Sequence, residues 1–361
     1  MRFLKYGLVF IIPALFIVGL QAGGWLTFGS LLFAFGVVPF VELLFKPSAA
    51  NIDAAETELR KRTRSYDAML YLVLPVIYCS IVAYLVALQG NSFVWWEKIG
   101  LTISLGIILG GLGINVAHEL GHRNKRSERL LALGLLLPAA YMHFYIEHNQ
   151  GHHKNVSTHE DPASARRGET IYAFWIRSVI GSYRSAWSIE SKRISRAGKN
   201  PFGVKSHMVQ YTLIQLIFWA AIVLFFGWKS ALWFTAAAII GFLLLETVNY
   251  IEHYGLRRGK VSEHRYEKTL PIHSWNSNHH IGRTLLFELS RHSDHHFQPT
   301  KHYQILEHHD QSPQMPTGYP GMLLLCLVPP IWFAIMNPRL PNITNANYAT
   351  DISGGLNRAM A

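Results

Sequence analysis

The sequence predicts an all-α, polytopic membrane protein, with six transmembrane helices carrying a helical cytosolic cap that holds a metal site. Three observations predict it: six apolar runs of spanning length, a one-sided distribution of Lys and Arg, and three histidine clusters on that same side. The composition sets the frame. Half of the 361 residues are hydrophobic and only 15% are charged, against about 25% in an ordinary soluble chain. Mean hydropathy is positive. This balance excludes disorder and argues against a soluble globular protein. The two cysteines, Cys79 and Cys326, both sit in apolar runs. They exclude a disulfide framework, a four-cysteine metal site and a thiolate-held iron–sulfur cluster.

A transmembrane helix needs roughly 17–25 mostly apolar residues. Six stretches qualify, at about 4–20, 24–45, 68–89, 98–118, 208–227 and 230–252. They fall in pairs joined by short links: Gln21–Gly23, the stretch Gly90–Glu97, and Trp228–Lys229. Short links force three helical hairpins. The opening run has no small-residue cleavage site and a second span follows directly, so it reads as a retained helix and not a signal peptide.

Of the 33 Lys and Arg residues, only Lys98 and Lys229 fall on the side of the short links. The positive-inside rule then places both termini and both large polar segments in the cytoplasm. The net charge of +11 is thereby explained by topology. Nucleic acid is not a partner, since no base-stacking platform or glycine-rich phosphate loop accompanies the charge. Segments 119–207 and 253–340 are expected to fold together as one cap, within a single domain over 1–340. Leu130–Tyr145 is expected as a membrane-lying or buried helix. Pro329–Met336 is expected at the bilayer surface, and 341–361 as a flexible tail.

Nineteen histidines are the central chemical signal. HELGHR places His118 and His122 at i, i+4, on one face of a helix and about 6 Å apart along its axis. EHNQGHH adds His148, His152 and His153, where the i, i+4 spacing puts two imidazoles on one face with the third beside them. RHSDHH adds His292, His295 and His296, and NYIEHYG adds His253 at the cytosolic end of the sixth span. One metal draws several ligands into a tight shell, and imidazole suits iron, zinc, copper and nickel. Eight or nine ligands exceed the capacity of one metal, so two are implied. The other histidines, among them His143, His159, His207, His264, His302, His279–His280 and His308–His309, read as ordinary hydrogen-bonded or surface residues.

These motifs, with HSWNSNHH and QMPTGYPGM nearer the C-terminus, resemble the membrane di-iron desaturase and hydroxylase superfamily. Within it they resemble the bacterial alkane 1-monooxygenase family, from about the first span to Pro338. Two departures, Arg123 in place of a common lysine and His280 extending NSNH, touch no ligand position. The resemblance implies nine metal ligands: His118, His122, His148, His152, His153, His253, His292, His295 and His296. It implies two iron ions in a non-haem di-iron centre and hydroxylation of the terminal methyl group of n-alkanes to primary alcohols with O2. It implies a rubredoxin electron donor, itself reduced by an NAD(P)H-dependent reductase, and a place in the bacterial inner membrane among its lipids. Since this chain lacks rubredoxin cysteines, the donor is expected as a separate protein or domain.

Nine neutral imidazoles leave such a site strongly cationic, and carboxylates that accept their free ring N–H groups would compensate. Glu119, Glu147, Asp161, Glu252 and Asp294 are close in sequence; each also reads as a plain surface carboxylate. Asn115 shares a face with His118. Glu246 shares one with His253, about 10 Å deeper in the span; an intramembrane carboxylate is a functional candidate, or an interhelical hydrogen bond. The glycines of the fourth span, Gly106, Gly110, Gly111 and Gly113, either pack against a neighbour or leave room for an alkyl chain, and Gly113 is expected as a tunnel wall. Arg123, Lys125, Arg126 and Arg129 follow the first cluster and are expected to meet the acidic donor. Rival readings are a fatty-acyl desaturase, an aromatic methyl hydroxylase and a divalent-metal transporter. A transporter would hold its ligands near the bilayer midplane, and these clusters lie at span ends.

Overall fold

The computed structural model describes residues 2–90, 92–263 and 265–341. The expected tail from Asn342, and His264, lie outside the described residues. Four helices are each long and apolar enough to cross a membrane once: α1 (Arg2–Ala22), α2 (Gly24–Leu44), α4 (Ser65–Ala87) and α5 (Trp95–Gly121), with the short α3 (Ala54–Arg62) between the second and third. A fifth apolar helix, α9 (His207–His253), has 47 residues. A straight helix of that length would measure about 70 Å, more than twice a hydrocarbon core of about 30 Å.

The chain solves this at Gly227, which has φ 79° and ψ 160° inside α9. Only glycine takes that conformation without strain. Trp219 Nε1 then donates to Thr235 Oγ1 at 2.9 Å, and the Phe218 and Phe234 rings lie 5.9 Å apart. Residues sixteen apart on a straight helix would be separated by about 24 Å, so the two arms of α9 run antiparallel. Gln89 fastens the bend by donating to Phe226 O at 3.0 Å and Ser230 Oγ at 2.9 Å. The expected reversal at Trp228–Lys229 is therefore centred at Gly227, and 228–229 are already helical. Trp25, Trp95 and Trp228 are exposed near the three short links, as aromatic residues are at a membrane–water interface.

The arm of α9 nearest the cap packs against α5 through small residues. A β-carbon on Gly110 would collide with the backbone of Gly241, so backbones approach as closely as the small-residue rule for membrane helices describes. Among the described residues, the cap's regular structure is helical apart from a two-strand ribbon, Lys260–Ser262 with Arg265–Tyr266, and an isolated bridge between Asn276 and Gln314. Its helices are α6 (Arg126–Leu136), α7 (144–155), α8 (Ile171–Arg196), α10 (His280–Leu285), α11 (His292–Phe297), α12 (Tyr319–Cys326) and α13 (Pro329–Met336). The helix expected over Leu130–Tyr145 is α6, which buries Ala132, Leu135 and Leu136 and gives way near Pro138. In α13, Trp332 and Met336 are buried while Ile331 is exposed, so one apolar edge remains uncovered.

Candidate metal centre

The structure gathers the nine predicted histidines at the foot of the cap, in two groups. His118, His122, His148, His153 and His295 form one; His152, His253, His292 and His296 form the other. Within each, one ligand atom per residue lies within 4.8 Å of all the others. Among the described residues, no further histidine joins either group. His143 packs edge-on against Tyr141 and Tyr183, His302 receives Arg123, and His309 donates to Asp294.

Local structure decides this division. Residues His148–His152 form a π-turn inside α7, which widens the helix beyond 3.6 residues per turn. The i, i+4 pairing expected for His148 and His152 is replaced by an i, i+5 pairing. His153 Nε2 lies 3.0 Å from His148 Nε2, whereas His152 Nε2 lies 3.2 Å from His296 Nε2 in the other group. The short helix α11 serves both groups, His295 on one side and His292 with His296 on the other.

The donor geometry fits metal ions. Imidazole nitrogens about 2.0–2.1 Å from a divalent metal, at right angles to one another, are about 3 Å apart. The Nε2 atoms of His122 and His148 are 3.0 Å apart, and those of His253 and His292 3.1 Å apart. Both ring nitrogens of His295 and Nε2 of His118 are buried with no hydrogen-bond partner, which is costly unless something else satisfies them. Burial, with repulsion from neighbouring rings, holds His148, His153, His292, His295 and His296 well below the usual imidazole pKa. It pushes His122 down to about 3. A lowered pKa favours the neutral form of these six rings, the form that binds metal.

Only some of the expected polar partners touch these rings. Asp161 Oδ2 accepts from His152 Nδ1 at 2.9 Å. Burial alone would raise the Asp161 pKa, but His152 and hydrogen bonds from His152 and Ser164 hold it below the usual carboxylate value. Glu252 departs from the expected role. Its Oε2 lies 3.1 Å from His292 Nε2, the nitrogen facing His253, so this carboxylate stands on the metal side of the ring. Its Oε1 accepts from Tyr319 OH at 2.9 Å.

The remaining candidates face elsewhere. Glu119 accepts from Arg123 at 2.7 Å and from Tyr303 N at 3.3 Å. Glu147 lies against Gly151 and Ser185, and burial, with the charges of Asp161 and Glu246, raises its pKa well above the usual value. Asp294 accepts from His309 Nε2 at 2.7 Å, Lys301 Nζ at 2.8 Å and Glu307 N at 2.8 Å. Glu246 accepts from Tyr141 OH and Ser178 Oγ, both at 2.5 Å, which is the interhelical reading. Arg123 is buried in its ion pair with Glu119 and also reaches Asp67, so it cannot meet a partner; Lys125, Arg126 and Arg129 are exposed.

A cavity opens onto both groups. His118 and His148 of one group, His292 of the other, and Glu252, Asn115 and Tyr319 line its inner end. Gly111, Leu244, Leu245, Val248 and Leu286 make its apolar wall. Leu244 also lines a surface groove between α2, α5, α9 and α12. Gly113 does not line this cavity: a β-carbon there would strike Ile77 Cδ1. Gly111, rather than Gly113, lines it, and a β-carbon there would meet Leu244 Cδ2 at an ordinary contact distance of 3.7 Å. Tyr319 was absent from the expected site because a tyrosine in an apolar stretch gives no signal by itself; its place in QMPTGYPGM was the available clue.

The chain is similar to several known proteins. A family model described as fatty acid desaturase matches residues 93–323. The chain is 38% identical over 326 residues to an alkane 1-monooxygenase of Pseudomonas putida, covering 90% of this chain and 81% of that one. It is 39% identical to an alkane 1-monooxygenase of Acinetobacter baylyi, over 86% of this chain and 77% of the relative. It is 35% identical to alkane 1-monooxygenase 2 of Pseudomonas aeruginosa, over 94% and 93%.

Proposed function

The chain belongs to the alkane 1-monooxygenase family of membrane desaturase-like proteins, and from that premise we infer that it converts n-alkanes to primary alcohols. The reaction consumes one O2, two electrons and two protons per alkane and releases one alcohol and one water. Two iron ions, one in each histidine group, would supply the reduction of O2 and the oxidation of the terminal C–H bond. The five-histidine group would hold one and the four-histidine group the other.

The protein's own residues orient and enclose. Asp161 holds the proton of His152 on Nδ1 and so directs Nε2 inward. The apolar wall formed by Gly111, Leu244 and Val248 excludes water and guides a methyl end toward His118 and His292. Alkanes dissolve in the bilayer, and the groove shared at Leu244 gives them a lateral way in. The electron donor we assign is rubredoxin, small and acidic, meeting Lys125, Arg126 and Arg129, where opposite charge would speed encounter. The one-sided Lys and Arg distribution supports a bacterial inner-membrane location with the cap and both termini in the cytoplasm.

One observation carries the reading: an apolar cavity ends on histidines of both groups. The test is anaerobic reconstitution with iron, rubredoxin and its reductase, followed by product analysis with 18O2. Terminal alcohols carrying one labelled oxygen support it. Alkenes or subterminal alcohols overturn it.

A further inference from the structure

The second span carries a carboxylate that the reaction above does not use. Glu42 lies in the last turn of α2, next to Phe40, Leu43, Leu44 and Phe45, all of which are exposed and apolar. Glu42 itself is only 2% exposed, so it turns inward from a lipid-facing turn. A carboxylate in such a segment is costly and is a functional candidate by default.

Its contacts lie on two cap helices. Oε1 accepts from the backbone N–H of Gly282, in the first turn of α10, at 2.7 Å. Oε2 lies against Gly318, the residue just before α12, so closely that a β-carbon there would collide with it. No hydrogen bond reaches Oε2. Both glycines are spaces that a side chain would fill, and both admit the same carboxylate.

Each of these helices leads to the metal centre. The residue after Gly318 is Tyr319, whose hydroxyl holds Glu252 beside His292 Nε2. The chain after α10 turns through Phe287 and Glu288, both at positive φ, and enters α11 with its three ligands. We propose that Glu42 is a positioning residue: it fixes the starts of α10 and α12 on the membrane base and so sets the Tyr319–Glu252 pair beside the four-histidine group. This gives QMPTGYPGM a role, with Gly318 admitting Glu42 and Tyr319 carrying its effect to the centre.

The proposal rests on the metal reading of the histidine groups, and the experiment separates the two. Metal-free full-length protein in detergent or lipid discs is titrated anaerobically with Co2+, and its visible absorption is recorded. Wild-type protein that binds no Co2+ overturns the metal reading. Given binding, Glu42→Ala should change the spectrum of one of the two ions and weaken that ion about ten- to a hundredfold, the range typical for partners that orient metal ligands. Tyr319→Phe should change the same ion, and the double variant should add little to either, because both act through one path. Glu42→Gln keeps an acceptor for Gly282 N–H and should stay near wild type. Glu190→Ala, which cuts a remote clamp to the His207 N–H, should leave both ions unchanged. A wild-type spectrum for Glu42→Ala, additive effects with Tyr319→Phe, or an equal loss from Glu190→Ala overturns the proposal. If Glu42→Ala does not accumulate, Gly318→Ala against Glu42→Gln makes the same comparison, with the same opposite outcomes.

Discussion

His148 and His153, five residues apart in one helix, bring their Nε2 atoms to 3.0 Å, while His152 between them faces away toward His296. The π-turn that permits this lets one helix contribute to both histidine groups. His148→Ala and His153→Ala should therefore deplete the same ion, and their double variant should lose little more metal than either alone. His148→Ala with His152→Ala should deplete both. Metal analysis of the purified variants checks this, and additive loss in the first pair would contradict it.

Asp161 sets the tautomer of His152 through a 2.9 Å contact. Asp161→Asn keeps the shape but loses the charge, and it should weaken metal in the four-histidine group by about ten- to a hundredfold. The five-histidine group should keep its affinity. Competitive chelator titration measures both, and unchanged affinity in the four-histidine group would show that His152 is oriented by packing alone.

Much of this centre was legible because histidines at helical spacing announce a shared ligand shell, and the HELGHR pair behaves as that spacing predicts. The division of ligands was not legible, since i, i+4 reasoning assumes 3.6 residues per turn and the π-turn breaks that assumption. Nearness in sequence also misled. Glu119, Glu147 and Asp294 each adjoin a ligand histidine, but adjacent residues on a helix do not face each other. Asp161 lies outside the helices and reaches its ring from nine residues away. Glu42 was missed inside a span that otherwise reads as apolar, although an intramembrane carboxylate was itself a signal. The reversal after the fifth apolar run was legible from its short link, with Gly227 displacing the bend by one residue.

Gly111 lines the cavity, where a β-carbon would make only an ordinary 3.7 Å contact with Leu244 Cδ2, whereas one on Gly113 would strike Ile77 at 2.7 Å. Gly111→Leu should shift the preferred substrate toward shorter alkanes with iron content intact. Gly113→Leu should instead destabilise the fold, by about 1–3 kcal/mol as overpacking does, without changing chain-length preference. Product profiles across n-alkanes, with thermal unfolding in detergent, check both. A shift from Gly113→Leu and none from Gly111→Leu would reverse the assignment.

Glu288 ties the cap to the start of α1 through Lys5 at 2.5 Å and pairs within the cap with Arg283 at 2.6 Å. Burial alone would raise its pKa, but those two cations push it down to about 2 from 4.5. A depressed carboxylate stabilises the fold above its unfolded pKa and loses that contribution as pH falls toward the folded value. The shift corresponds to about 3 kcal/mol, present at pH 5 and lost by about pH 2. Glu288→Gln should flatten the acid limb of the stability profile between pH 4.5 and 2. A profile as steep as that of wild type would mean that other groups govern that limb.

Iron per chain after anaerobic loading, measured for wild type, His295→Ala and His296→Ala, decides whether the nine histidines serve two metal ions. Wild type should bind two irons, and each variant should show a loss confined to one group, a different one in each case. A wild-type protein saturating at one iron, or both variants losing the same ion, would contradict the division of nine histidines between two metal sites.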